Sequence, residues 1–122
     1  MMKLSNVAFV FLTLPLCAQV HITKSADRIA VEIDGKPFTE LWIGPDAAKP
    51  YLFPLRSASG TKVTRGFPLD EMPGDSKDHP HHRGLNFAHA DVNGSNFWAN
   101  ESFNPGAKGK IVLDKVEHRA AA

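Results

Sequence analysis

The sequence predicts an all-β fold, an antiparallel β-sandwich. Three observations carry that prediction. From Val20 onward the apolar residues recur with a period close to two, the repeat of a strand with one buried face. Asp34-Gly35 and Asn93-Gly94 each sit between extended segments, and both pairs accept the positive φ that tight hairpin turns need. No segment of the chain repeats at the 3.6-residue period of an amphipathic helix.

The elements follow in order. In Arg28 to Ile33 the side chains Ile29, Val31 and Ile33 share one face of a strand. Asp34-Gly35 turns the chain, and Phe38 to Ile43 returns, rich in β-branched and aromatic residues. Gly44-Pro45-Asp46 ends that strand. Tyr51 to Arg56 is the next, with Pro54 marking an edge or a bulge. Ser57 to Gly60 is a turn and Thr61 to Arg65 a short strand. Residues 66–80 form a loop punctuated by Gly66, Pro68, Pro73, Gly74 and Pro80, long enough to be functional or mobile. Leu85 to Asp91 and the segment from Phe97-Trp98 are read as a hairpin about Asn93-Gly94, and Lys110 to Glu117 as a last strand. A final strand three alanines from the end would leave an open edge, an invitation to aggregation. The expectation is that residues 19–122 are the N-terminal part of a longer β-sandwich domain.

Residues 1–18 are read as a signal peptide. Met1-Met2-Lys3 is a short positive region, Val7 to Leu16 an apolar run, and Leu16-Cys17-Ala18 a small-residue cleavage site before Gln19. About ten apolar residues are too few for a permanent membrane helix. Leu14-Pro15-Leu16-Cys17 is similar to a lipoprotein signal, but Leu16 is not the small residue such a signal needs. Export to the periplasm or outside the cell, with cleavage near Ala18, is therefore expected, and no stable membrane span. The formal charge of +1 over 122 residues gives no basis for nucleic-acid binding. The single cysteine, Cys17, cannot form a disulfide within the chain.

The chemistry concentrates between Asp78 and Trp98, where four of the six histidines lie. Three readings of this stretch stand side by side. In the first, His79, His81 or His82 is a general acid or base whose tautomer is set by Asp78 or Asp91. Arg83 then holds an anionic or polarised oxygen through its planar fork. Phe87, Phe97 and Trp98 supply the apolar walls against which a sugar ring packs, and Arg56 and Arg65 line the same cleft. In the second, His79 and His81 point the same way on a strand and ligate a divalent metal, with His89 or a carboxylate as third ligand. In the third, non-catalytic reading, Trp98, Phe97 and Tyr51 form a carbohydrate-binding surface. The structural alternative is a solvated turn at His82-Arg83 and a core hydrogen bond at His89. Asn93-Gly94-Ser95 and Asn100-Glu101-Ser102 match the glycosylation sequon, which matters only in a eukaryotic secretory pathway.

Several runs carry a resemblance. Lys49-Pro50-Tyr51-Leu52-Phe53-Pro54-Leu55, Thr64-Arg65-Gly66-Phe67-Pro68, Asp78-His79-Pro80-His81-His82-Arg83-Gly84-Leu85 and Asp91 to Trp98 together resemble a bacterial family labelled "methane oxygenase PmoA". The resemblance covers Val20 to the C-terminus and implies a longer protein than this one. The label does not imply methane oxidation here, because that chemistry belongs to a membrane enzyme. The family is similar, more loosely, to the galactose-mutarotase-like supersandwich, whose members bind sugars. Phe53-Pro54 and Arg83 with its neighbouring histidines match that outline. The resemblance implies a small-molecule or glycan ligand, with the general-base glutamate of mutarotases falling beyond residue 122.

Overall fold

The computed structural model describes residues 18–101, 106 and 108–117. The signal-peptide reading of the first seventeen residues lies outside them. Five strands make one antiparallel sheet: β1 (Val20–Lys24), β2 (Arg28–Ile33), β3 (Lys36–Trp42), β4 (Tyr51–Leu52) and β5 (Leu85–Asn86). They lie in the sheet in chain order. The all-β class is as the sequence predicts, and no helix among the described residues is long and apolar enough to cross a membrane.

The first three strands are built by local rules. Asp34 and Gly35 adopt φ of 51° and 71°, the left-handed pair of a tight hairpin turn. The β2–β3 register runs Ile29↔Leu41 and Val31↔Thr39, then shifts to Glu32↔Pro37. The shift leaves Phe38 as the extra residue of a bulge, next to Pro37, which has no N–H to give the ladder. Directly opposed residues share a face, so Val20, Ile22, Ile29, Val31, Ile33, Leu41, Leu52 and Leu85 line one side of the sheet. Of these only Ile29 is buried. A sandwich would cover this side with a second sheet, and none is formed by the described residues.

The other side carries the core. Tyr51 stacks on Trp42 with ring centroids 6.2 Å apart, and Ala47 and Phe53 complete the buried cluster, with Leu69 packed on it. Trp42 Nε1 donates to the Phe53 carbonyl at 3.0 Å, satisfying the polar edge of a ring that is otherwise taken out of water.

Four expected strands are shorter or absent. β4 stops at Leu52, because Pro54 cannot extend the ladder. Its pairing with β3 continues irregularly through Phe53 N to Glu40 O at 2.9 Å and Arg56 N to Phe38 O at 3.0 Å. Thr61 to Arg65 contributes one bridge, Lys62 to Arg56. Leu85 to Asp91 is strand only at Leu85-Asn86, and Lys110 to Glu117 is not a strand at all. Its alternation is poor, Val112 is exposed as well as Val116, and Ile111 N to Ala48 O at 3.2 Å ties its backbone to the rest.

Residues 66–80 are hydrogen-bonded among themselves rather than open. The Asp75 carboxylate accepts from Gly66 N at 2.6 Å and Phe67 N at 3.3 Å, and Leu69 N and Asp70 N both donate to the Gly66 carbonyl at 2.9 Å. Lys62 pairs with Asp70 across the turn. This folded loop is the abutment on which the histidine segment rests.

Candidate functional site

Arg65 sets the entry to the histidine segment. Its Nη1 donates to Asp78 Oδ1 at 3.0 Å, its Nη2 to the Asp78 and His79 carbonyls, both at 3.0 Å, and its Nε to the Phe67 carbonyl at 3.1 Å. Four of the five N–H donors of the guanidinium are thereby spent inside the protein. Arg65, expected to contact substrate, instead positions the loop. Asp78 Oδ2 meets His79 Nδ1 at 2.7 Å, and Ser76 Oγ donates to Asp78 Oδ1 at 2.6 Å. Hydrogen bonding from Ser76 first, and from His79 next, holds the Asp78 carboxyl at about 2, below its ordinary 3.8.

His79 takes φ of +47°, a conformation a non-glycine residue keeps only where its surroundings impose it. The Arg65 fork and the turn bond from His82 N to His79 O at 3.0 Å impose it here. That turn gathers three imidazoles. His79 stacks on His82 at 5.0 Å, and His81 meets His82 edge-on at 4.4 Å. Trp98 joins them, stacked on His82 at 5.9 Å and edge-on to His81 at 6.2 Å. His81 binds its proton less readily than usual; burial is the main cause, followed by the neighbouring His82.

After Arg83 the chain must pass very close to β4. Gly84 has φ of +50°, and a Cβ there would lie 2.2 Å from the Leu52 carbonyl oxygen. The close approach sets Arg83 beside Tyr51. Tyr51 holds its proton more tightly than usual because it is buried, although Arg83 opposes the shift.

Behind this surface lies a buried polar knot that sequence reasoning missed. Lys49 Nζ donates to Trp98 O at 2.6 Å, Asn100 Oδ1 at 2.8 Å and Glu101 Oε1 at 2.8 Å. Nothing in the local pattern of Ala48-Lys49-Pro50 or Asn100-Glu101 marks it. A lysine needs a partner only once it is buried, and the partner lies fifty-two positions away. Asn96 Oδ1 accepts from the backbone N–H of Trp98 and of Ala99, both at 2.9 Å. The Trp98 main chain is thus held from both sides.

The remaining expected site residues stand elsewhere. Arg56 donates to the Gly60 carbonyl at 3.2 Å and lines a hollow with Ile33, Pro37 and Phe38, away from the histidines. Phe87 is 84% exposed and walls nothing. Asn93 and Gly94 form the expected turn, with φ of 53° and 79°. His89 is exposed, its Nδ1 accepting from Asp91 N at 3.2 Å.

The metal set is therefore corrected. Among the described residues no group of three or more His, Cys, Asp or Glu side chains could hold a metal ion, so His79, His81 and His89 do not form a ligand set. The near-parallel stacking of His79 on His82, at 15°, also sends their in-plane lone pairs side by side, whereas ligation needs them to converge.

Fold and site define an all-β protein with a tryptophan–histidine surface seated over a buried ion pair. A family model matches residues 28–122, and the chain belongs to that family, DUF6807, a family of unknown function. No curated protein and no solved structure matches it.

Proposed function

We propose that this protein binds a sugar or glycoside on the surface formed by Trp98, His81 and His82, with His81 supplying acid–base chemistry to the ligand. The observation that carries the reading is Trp98, whose residue is 46% exposed while its backbone is anchored by Lys49 and Asn96. An exposed aromatic face that is held in place, with polar groups at its rim, suits a ring with one apolar face and hydroxyls around its edge. His81 and His82 are those rim groups. Burial keeps His81 unprotonated near neutral pH, the state in which an imidazole takes a proton from a hydroxyl. The likeness of Phe53-Pro54 and Arg83 to the sugar-binding supersandwich outline lends further support. No side-chain arrangement among the described residues favours a divalent metal, which has no part in the proposal.

A glycan panel probed with the full chain tests the binding half. Trp98→Ala is expected to abolish binding, and Phe87→Ala to leave it unchanged. Wild-type binding by Trp98→Ala would overturn the assignment. The catalytic half predicts that His81→Ala loses turnover of chromogenic glycosides while retaining binding. If turnover is unchanged in His81→Ala, or wild-type protein shows binding alone, the surface belongs to a non-catalytic binding module. The proposal includes export, supported by the apolar run from Val7 to Leu16. A mature N-terminus at Gln19 on protein recovered outside the cytoplasm is the expected result.

A further inference from the structure

A cleft of about 500 Å³ opens on the far side of the ion pair, among Asp46, Arg83, Asn100, Glu101, Lys108 and Lys110. Two of its lining side chains each carry a buried atom that is short of partners. Glu101 is 3% exposed, its Oε1 is committed to Lys49, and its Oε2 accepts no hydrogen bond among the described residues. Arg83 Nε is likewise buried and donates to nothing there. A buried polar atom without a partner is rare in a folded protein and calls for an explanation. Asn100 cannot supply one. Its Nδ2 already bonds the Ala48 and Gly109 carbonyls at 2.9 and 2.7 Å, and its Oδ1 takes Lys49. Those bonds fix two walls of the cleft instead.

We infer that this cleft takes an acidic sugar, a hydroxy-carboxylate of the uronate class. Its carboxylate would sit on the Arg83 side, and one of its hydroxyls would donate to Glu101 Oε2. The inference rests on the sugar-binding reading of the adjoining Trp98 surface and names the class of sugar. Charge decides between an acidic and a neutral ligand. Arg83 and Lys110 stand on its walls with Asp46 and Glu101, and the Glu101 charge is already met by Lys49, so the walls favour an anion. The unpartnered Oε2 decides between a sugar acid and a simple carboxylate, because acetate has no hydrogen to give it. The cleft and the Trp98 face hang from one ammonium, since Lys49 Nζ bonds both Glu101 Oε1 and Trp98 O. The Trp98 main chain and the Glu101 wall of the cleft therefore share one buried support.

Titration calorimetry of the full chain with D-glucuronate, D-glucose and acetate tests this. Glucuronate is expected to bind at least about tenfold more tightly than either of the others, and Arg83→Gln to remove about tenfold of its affinity, as loss of a charged hydrogen bond does. Glu101→Gln should weaken glucuronate but leave acetate unchanged. Should that variant fail to fold, Lys110→Ala, at the exposed rim, is expected to weaken glucuronate and spare glucose. Equal binding of acetate and glucuronate overturns the inference, and so does equal binding of glucose and glucuronate. If glucuronate does not bind while a neutral glycan still binds through Trp98, the acidic class is wrong and the proposed function stands. If neither binds, both fall together.

Discussion

Lys49 Nζ and Glu101 Oε1 are 2.8 Å apart, and their side chains are 2% and 3% exposed. The pair joins the segment before β4 to the segment after Trp98, with Asn100 as a third member. Removing one partner strands a charge out of water, which costs on the order of 3–5 kcal/mol. Lys49→Met and Glu101→Leu are each expected to lose that much stability in urea unfolding. The double variant should recover most of the loss, because an apolar pair of similar volume needs no compensation. Single variants within about 0.5 kcal/mol of wild type would mean that water reaches the pair.

Gly84 answers a different constraint. Its φ of +50° and the 2.2 Å approach of a Cβ to the Leu52 carbonyl combine a conformational cost with a backbone clash. Gly84→Ala is expected to cost well above the roughly 1–2 kcal/mol of a left-handed non-glycine residue alone, and to displace Arg83. Gly94, at φ of +79° with nothing within 4 Å of its Cβ position, isolates the conformational part. Gly94→Ala should cost only about 1 kcal/mol, and comparable urea midpoints for the two variants would rule out the clash.

These two positions show what was legible in the sequence. Strands β2 and β3 and both Asx-Gly turns rest on alternation and on turn chemistry within a few residues, and all were readable. The histidine turn was legible as a cluster, because His79, His81 and His82 are neighbours in the chain. What Lys49, Arg65 and Glu101 do was not. Arg65 reads as a residue lining the cleft until the loop folds and spends its donors on Asp78 and His79. Lys49 carries no local sign of a role, which comes only as Trp98 to Glu101 closes over it. Each role is created by contacts between distant segments. The Pro54 and Lys110 strands were over-read for the converse reason: alternation marks a face, but a strand also needs a neighbour to pair with.

Asp78 gives a pH signature. Its folded carboxyl sits at about 2 against an ordinary 3.8, so its contribution to stability is full above 3.8 and is lost as pH falls toward 2. Asp78→Asn lacks that titration. The stability difference between wild type and Asp78→Asn is therefore expected to be flat from neutral pH to about pH 5 and to shrink below it. Urea midpoints measured across that range check it, and a constant difference down to pH 2 would remove Asp78 from the network. Arg65→Lys is expected to loosen the same turn, since an ammonium cannot hold one carboxylate and three carbonyls with a planar fork.

His81 titrates in the opposite sense to a salt-bridged histidine. Burial and the nearby His82, His79 and Lys49 disfavour its charged form, whereas Glu101 favours it. The Cε1–H resonance of His81 should accordingly titrate with a midpoint below the ordinary 6.5. His82→Gln removes a competing charge and should move that midpoint up; Glu101→Gln should move it down. Because the folded state binds its proton less readily than the unfolded chain, stability falls as pH drops through 6.5 toward the folded midpoint and levels off below it. His81→Gln abolishes that segment of the curve. If His81 is the base of the proposed chemistry, turnover rises with pH across the same window and reaches its plateau near neutrality. A wild-type midpoint at or above 6.5 would place His81 in open solvent and remove its claim to that role.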